Sequence, residues 1–189
     1  LVIGEFIFGL GDSLLIAAGV GNTPWTVLAE GIADTTEVWT IGEATFLVSV
    51  AVMFLWIPIK ETPGIGTILN IIIIALTIHV MVPILPQPEN PLVSILMASL
   101  GIVLVGIGSC MYLTANLGPG PRDGWMTGLQ RTTGIPIGRV RIAIEASVLV
   151  IGIVLGGTFG IGTILFAVTI GPVVESCLSL ASRIDSTTG

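Results

Sequence analysis

The stretch Gly118-Pro119-Gly120-Pro121-Arg122-Asp123-Gly124-Trp125 decides the fold of this 189-residue chain, because a weaker copy occurs earlier, at Gly21-Asn22-Thr23-Pro24-Trp25. Each copy follows a long apolar run and opens a short helical segment. The glycines after each copy also recur, with offsets of 97 residues from Gly31 to Gly128 and 96 residues from Gly42 to Gly138. The run 64–69 recurs at 160–165. The sequence therefore predicts two copies of one structural unit.

The composition is typical of a membrane protein. Hydrophobic residues make up 53% of the chain and charged residues 10%, and the mean hydropathy is +1.05, whereas soluble domains contain about 25% charged residues. The charged residues concentrate in connections and at helix ends, so the net charge of −6 gives no indication of a nucleic-acid partner. We expect the lipid bilayer to be the main partner.

Six segments are apolar for roughly the 20 residues that a helix needs to cross a bilayer. They cover residues 1–18, 41–58, 64–82, 92–115, 138–156 and 160–180. Each unit therefore contains three predicted transmembrane helices, and an odd number of crossings turns the second unit upside down. We expect an all-α membrane protein of two inverted three-helix repeats, an arrangement that recurs in secondary transporters.

The domain organisation follows from these segments. The first repeat occupies residues 1–82, and the second, inverted repeat occupies residues 92–180. Residues 83–91 are rich in proline and cannot be helical throughout, which indicates a linker on the outer face. Residues 181–189 are predicted to form a cytoplasmic tail.

The charges predict the orientation. All basic residues fall on one side of the six-helix arrangement, and the connections on the other side contain acidic residues only. By the positive-inside rule both termini are then cytoplasmic. The basic residues are Lys60, Arg122, Arg131, Arg139, Arg141 and Arg183, and the opposing acidic residues are Glu30, Asp34, Glu37, Glu43 and Glu89. The tryptophans Trp25, Trp39, Trp56 and Trp125 are expected at the interfaces as anchors.

Two short amphipathic helices are predicted, one after the first span and one after the fourth. Trp25, Leu28 and Ile32 recur at helical spacing in the first, and Trp125 and Leu129 do so in the second. Each helix could lie in the membrane interface or enter the protein as a re-entrant hairpin, which needs protein or water around its backbone. The sequence leaves both alternatives open.

The sequence predicts no metal site and no cofactor. Cys110 and Cys177 both lie in apolar runs, where small buried side chains are expected rather than a disulfide framework. The single His79 has no partner at a metal-ligand spacing. No nucleophile, base and orienting residue recur at a spacing typical of enzymes, so we expect no enzymatic activity.

Several motifs of the chain are shared with a known family. They are residues 117–124 (LGPGPRDG), 140–145 (VRIAIE), 155–163 (LGGTFGIGT) and 170–172 (IGP), with 24–25 (PW) and 63–67 (PGIGT) in the first unit. On these motifs the chain resembles the YczE/YyaS/YitT-like bacterial integral membrane proteins, in particular the YczE-like branch. The resemblance implies a multi-pass helical fold in the bacterial cytoplasmic membrane and no settled activity. Thr26 stands where that family usually has an acidic residue, so the two units are not expected to share the same chemistry.

Arg122 and Asp123 are candidate functional residues with two interpretations. Gly118 and Gly120 precede them and can adopt backbone conformations that are inaccessible to other residues. In a structural interpretation Asp123 caps the following helix and Arg122 contacts a lipid phosphate. In a functional interpretation, backbone amides and Arg122 bind an anionic group at the inner mouth of a cavity.

Arg141 and Glu145 are four residues apart, which places them on one face of the fifth span. Glu145 lies about two turns inside that span, where ionisable groups are costly and usually paired. The two residues are predicted either to form a structural ion pair or to belong to a polar pathway.

Four further ionisable residues lie within the predicted spans. Glu5 and Asp12 share one face of the first span and would suit a proton or cation path. Alternatively, Glu5 reaches the cytoplasmic surface and Asp12, whose counterpart at an offset of 97 is Ser109, is the one deep charge. His79 and Glu175 are counterparts at an offset of 96. They are expected on opposite faces, either as satisfied helix-end residues or as parts of a proton relay.

Transport of a small solute or ion is the first functional hypothesis, because acidic residues in spans and glycine-rich turns on both faces fit alternating access. The alternative is a non-enzymatic accessory or assembly subunit of a larger membrane complex. A homo-oligomer is compatible with both hypotheses. The sequence identifies no substrate, coupling ion or partner protein.

Overall fold

The computed structural model describes residues 1–36 and 38–188, with side chains described as far as Ala181. Within these ranges the chain forms helices and no strand, which confirms the all-α prediction. The helices are α1 (Val2–Ala18), α2 (Pro24–Thr36), α3 (Ile41–Phe54), α4 (Trp56–Ile59), α5 (Ile65–Met81), α6 (Pro91–Thr114), α7 (Pro121–Thr133), α8 (Ile137–Val154) and α9 (Ile161–Thr188). Glu37 and the side chain of Arg183, both used to predict the orientation, lie outside the described part.

The described helices include three stretches long and apolar enough to cross a membrane. They are Ile41–Ile59, which joins α3 and α4, Pro91–Thr114 and Ile161–Ala181. Large apolar side chains cover the outside, among them Val154 at 79% exposed and Ile57 at 70%. An apolar surface of this extent needs lipid or protein against it, so the chain is a membrane protein. The helix α9 continues to Thr188, so residues 181–188 of the segment predicted as a cytoplasmic tail are helical.

Helices α1 and α6 cross at the centre of the molecule, and glycines allow their backbones to approach closely. A Cβ atom on Gly11 would lie 2.5 Å from the carbonyl oxygen of Gly101, and one on Gly108 would lie 2.6 Å from that of Gly4. The partners run in opposite directions along the two helices, so α1 and α6 are antiparallel. Small residues at a helix crossing permit this close packing inside a membrane.

The two halves of the chain complete each other through a pair of matching hydrogen bonds. The amide of Gly66, at the start of α5, donates to the carbonyl of Leu117 at 2.9 Å, and the amide of Gly162, at the start of α9, donates to the carbonyl of Val20 at 2.8 Å. The positions differ by 96 and 97 residues, the offsets of the sequence repeat. Each half therefore supplies the loop that receives the third long helix of the other half.

The short helices α2 and α7 begin in the interior and end at the surface. Their first turns are buried, as at Pro24 and Pro121, whereas Thr36 and Thr133 at their ends are exposed. The start of each helix therefore packs against protein rather than against lipid.

Two tryptophans depart from their predicted position at the interfaces. Trp25 is 5% exposed and Trp56 is 2% exposed. The indole nitrogen of Trp56 donates a hydrogen bond to the carbonyl of Pro121 at 2.9 Å, which fixes the start of α7. Since both rings find partners inside the protein, they do not act as interfacial anchors, whereas Trp39 is 42% exposed.

Candidate functional site

The first turns of α2 and α7 meet at the centre of the protein. The rings of Trp25 and Trp125 lie edge to face with their centroids 6.5 Å apart, and the guanidinium carbon of Arg122 lies 5.2 Å from the centre of the Trp25 ring. A helix N-terminus carries a partial positive charge and free amides. Two such termini and an arginine therefore point toward the same region.

A cavity of about 110 Å³ lies at this meeting point. Its polar lining includes Asn70, Ser109, Arg122, Asp123, Arg141 and Glu145. Its apolar lining includes Phe8, Phe166 and Ile170. The lining comes from both halves of the chain, and the sequence-predicted residues Arg122, Asp123, Arg141 and Glu145 are brought together there.

Asp12 lies beside this cavity without being among the residues that line it. It is fully buried on α1, and the hydroxyl of Thr26 on α2 lies 2.8 Å and 3.0 Å from its two carboxylate oxygens and donates to them. Its charge also interacts with that of Arg122. Asp12 thus links α1 to the first turn of α2 by hydrogen bonds, and its negative charge attracts the positive charge of Arg122.

Asp123 makes the corresponding link in the second half. Its carboxylate accepts a hydrogen bond from the hydroxyl of Tyr112 on α6. The start of α7 at Gly120 has no side-chain cap, so the prediction that Asp123 caps the helix is wrong. Two features explain this. Asp123 is the third residue of α7, whereas a capping residue precedes the helix, and its carboxylate is bonded to the hydroxyl of Tyr112.

Arg141 and Glu145 form the ion pair that their spacing predicts, with 2.9 Å between Nε and Oε1. Their side chains are 46% and 25% exposed, and both line the cavity. The structural and functional interpretations of this pair are therefore compatible. A charged pair at the edge of a cavity satisfies both groups and still offers polar atoms to a ligand.

Arg122 is the cation of the cavity that has no ion pair within the described residues. The two ion pairs found there join Arg131 to Glu61 and Arg141 to Glu145. Arg122 is half-buried and contacts the face of Trp25, so its guanidinium hydrogens are available to a ligand in the cavity.

The three weaker candidates are not among the residues that line the cavity. Glu5 is fully buried, and neither of its oxygens has a hydrogen-bond partner among the described residues, so the prediction that it reaches the surface is wrong. His79 is exposed at the end of α5, where its Nδ1 lies 2.9 Å from the hydroxyl of Thr40. Glu175 is exposed on α9. His79 and Glu175 therefore do not join the central cavity.

A second, more open groove of about 400 Å³ lies beside the cavity and includes Glu175. Arg141, Ile170 and Val174 line both the groove and the cavity. The two spaces are therefore neighbours, separated by side chains of α8 and α9.

Several lining residues were not identified from the sequence. Tyr112 is the only tyrosine of the chain, and a lone phenol late in an apolar span was a usable signal. Asn70 is a lone amide within the apolar helix α5, and its Oδ1 would lie 3.1 Å from a Cβ on Gly120. Trp25, which the sequence places at the membrane interface, also lines the cavity. Among the residues that the structure describes, no three metal-ligating side chains come together.

Comparison with known proteins gives a family and no activity. A family model described as "Family of unknown function (DUF6198)" matches residues 1–179. An uncharacterized protein of Haemophilus influenzae is 45% identical over 94% of this chain and 81% of its own length. The "Uncharacterized membrane protein YczE" of Bacillus subtilis is 33% identical over 93% of this chain and 82% of its own length.

The YyaS protein of Bacillus subtilis, also uncharacterized, is 27% identical over 96% of this chain and 92% of its own length. No solved structure shows a significant match. The resemblance to the YczE and YyaS proteins that the sequence motifs indicate is thus confirmed. The family membership indicates a membrane protein, whereas the activity has to be inferred from the cavity.

Proposed function

The chain belongs to the DUF6198 family, and from its central cavity we propose that it transports a small solute across the bacterial cytoplasmic membrane. The main observation in support of transport is that α2 and α7 both begin inside the protein, with their N-termini at one polar cavity. Interrupted helices whose N-termini meet a central site are typical of secondary transporters. A cavity of about 110 Å³ is far smaller than the roughly 300–1,000 Å³ of drug-sized sites, so the solute is small.

The proposed architecture is six transmembrane helices in two inverted halves, with both termini cytoplasmic. Support comes from the hydrogen bonds of Gly66 and Gly162, which the two halves exchange. Further support comes from the ends of the half-helices. A Cβ on Gly31 of α2 would meet the carbonyl of Gly152 at 2.7 Å, and one on Gly128 of α7 would meet Ile59 at 2.6 Å. In the predicted topology these contacts belong to opposite faces.

The two halves differ in one contact that matters for transport. In the first half α3 packs along α5, and a Cβ on Gly42 would lie 2.6 Å from the amide of His79 and 2.7 Å from the carbonyl of Ala75. The counterparts at an offset of 96 are Gly138 and Gly171. A Cβ on either of these would meet nothing within 4 Å, so in the described residues α8 and α9 are apart where α3 and α5 are closed.

This asymmetry supports alternating access. We infer that α8 and α9 close on each other in a second state, with Gly138 against Gly171, while α3 and α5 separate. The cavity would then open first beside α8 and α9 and later beside α3 and α5. Inverted repeats that exchange conformations around a fixed site provide this motion in other transporters.

Thiol labelling tests the proposal without knowledge of the substrate. On a background carrying Cys110→Ala and Cys177→Ala, Ser109→Cys and Ser49→Cys each place one thiol in the cavity lining. A membrane-impermeant thiol reagent is applied to right-side-out and to inside-out vesicles. Transport predicts labelling of each cavity thiol from both sides.

Matched controls fix the topology. Thr36→Cys and Thr133→Cys mark the exposed ends of α2 and α7 and should be labelled only from the outside and only from the inside, respectively. Val150→Cys, which is 60% exposed on α8, should face lipid and stay unlabelled. Labelling of the cavity from one side only would reject transport and favour the accessory-subunit alternative. Labelling of Thr36→Cys and Thr133→Cys from the same side would reject the inverted repeat.

A further inference from the structure

We propose that the central cavity binds the carboxylate group of a small organic molecule, with Arg122 as its main ligand; this rests on, and deepens, the proposed transport function. Three features point to that chemistry. They are a cation without an ion pair, the convergence of two helix N-termini, and a cavity with one polar and one apolar wall.

Arg122 supplies the recognition. Its planar guanidinium presents paired N–H donors that match the two oxygens of a carboxylate. The other cation of the cavity, Arg141, is engaged by Glu145 at 2.9 Å. Among the described residues Arg122 contacts the face of Trp25, which holds the guanidinium plane and leaves its edge for a ligand.

The half-helices add a weaker attraction for the same group. The first turns of α2 and α7 both lie at the cavity, where Thr23 and Gly120 belong to the lining. The partial positive charge of a helix N-terminus favours an anionic group. In α2 the amide of Thr26 already donates to the hydroxyl of Thr23, so the contribution of this helix is mainly its dipole. Asn70, beside Gly120, provides an amide that can donate to a carboxylate oxygen.

The remaining walls define the rest of the molecule. Phe8, Phe166 and Ile170 give an apolar surface for a short carbon chain. A cavity of about 110 Å³ is smaller than the roughly 300–1,000 Å³ of sites for drug-sized ligands, which favours a small molecule.

The charge balance constrains the ligand further. Asp12, Asp123 and Glu145 are acidic groups whose charges act on Arg122. Asp12 and Asp123 accept hydrogen bonds from hydroxyl groups, and Glu145 pairs with Arg141. A bound carboxylate adds a negative charge next to them. The ligand therefore either carries an ammonium group of its own, as a small amino acid does, or enters as a monocarboxylate together with a proton. Both sources share the carboxylate that Arg122 recognises.

The test is a binding measurement on the full chain in detergent, using acetate, propionate, glycine and alanine as probes. The neutral acetamide and inorganic phosphate serve as comparison ligands, at constant ionic strength. We expect a saturable rise in the unfolding temperature, or a change in tryptophan fluorescence because Trp25 contacts Arg122, with at least one carboxylate and with neither comparison ligand. Response to glycine and alanine alone assigns the amino-acid source, and response to acetate and propionate assigns the monocarboxylate source.

The variants assign the response to the site. Arg122→Gln should weaken binding about 10- to 100-fold, and Arg122→Lys, which keeps the charge without the paired donors, should weaken it less. Arg139→Gln removes the same charge at an exposed position outside the cavity lining and should leave binding unchanged. Binding that is equal in wild type and in folded Arg122→Gln or Arg122→Lys overturns the proposal, as does the absence of saturable binding to every carboxylate.

The two proposals can fail separately. Cavity thiols labelled from both sides without any carboxylate binding would leave transport standing and reject this ligand class. Carboxylate binding that depends on Arg122, combined with one-sided labelling, would leave the site standing and reject transport.

Discussion

Arg122 and Trp25 are 97 residues apart, the offset of the sequence repeat, and they contact each other, with the guanidinium carbon 5.2 Å from the ring centre. Corresponding positions of the two halves thus meet at the cavity with different chemistry. One half contributes the charge, and the other contributes the aromatic face that orients it.

The aromatic face of Trp25 should matter for ligand binding. A desolvated cation–π contact is worth about 0.5–2 kcal/mol, so Trp25→Leu should weaken carboxylate binding several-fold. Trp25→Phe retains a ring and should have a smaller effect. Titration of both variants under identical conditions checks the order, and equal effects would indicate that the residue only fills space.

Asp12 should compete with the ligand for Arg122. Asp12→Asn removes a negative charge near the guanidinium and keeps an acceptor for the hydroxyl of Thr26. We expect carboxylate binding to tighten several-fold, as measured by the same titration. Weaker binding in a folded variant would mean that Asp12 orients the arginine rather than opposing the ligand.

Thr26 should be needed to satisfy the buried carboxylate of Asp12. Thr26→Val leaves that carboxylate without its hydroxyl donor, and an unsatisfied buried polar group costs about 1–3 kcal/mol. Unfolding by a denaturing detergent should show this loss. In the Asp12→Asn background, which has no charge at residue 12, the same substitution should cost less, and an unchanged cost would contradict the role assigned to Thr26.

Tyr112 should stabilise the protein through Asp123. Tyr112→Phe removes only the hydroxyl that donates to the Asp123 carboxylate and should lower the free energy of unfolding by about 1–3 kcal/mol. A double-mutant cycle with Asp123→Asn isolates the pair. A coupling energy near zero would show that the contact adds nothing to stability.

Gly42 and Gly138 form a matched pair for the asymmetry of the halves. Gly42→Ala forces a Cβ to within 2.6 Å of a backbone nitrogen on α5, whereas Gly138→Ala meets open space. The first should destabilise the protein and the second should not. If α8 and α9 must close during transport, Gly138→Ala should still slow the labelling of Ser109→Cys from one face, and unchanged rates from both faces would contradict the closing motion.

Much of the fold could be predicted because its signals are local. Apolar length and turn residues place the long helices near their observed ends, as at Pro91 and Thr114, since bilayer thickness sets their length. The glycines at the crossing of α1 and α6 follow the same offset of 97 residues, from Gly4 to Gly101 and from Gly11 to Gly108, but they were not among the repeat positions identified from the sequence. Among the described helices, α9 departs most from its predicted end, continuing to Thr188 instead of ending near residue 180.

The cavity could be predicted only in part. Arg122, Asp123, Arg141 and Glu145 stand out because a charge within an apolar sequence is costly. The burial of Trp25 could not be predicted from periodicity, since an amphipathic helix looks the same whether lipid or protein covers its apolar face. The partner of Asp123 was likewise missed, because Tyr112 reaches it through the tertiary arrangement of α6 and α7.

The exchanged hydrogen bonds at Gly66 and Gly162 have a consequence for biogenesis. The acceptor for Gly66 is Leu117, which is synthesised 51 residues later, and the acceptor for Gly162 is present from the beginning of the chain, at Val20. The amide of Gly66 in the first half therefore has no acceptor until the ribosome has synthesised Leu117 in the second motif. When Gly162 of the second half is synthesised, its acceptor loop at Val20 is already present. A fragment that stops before residue 117 should consequently be cleared by membrane quality control rather than accumulate as a stable half.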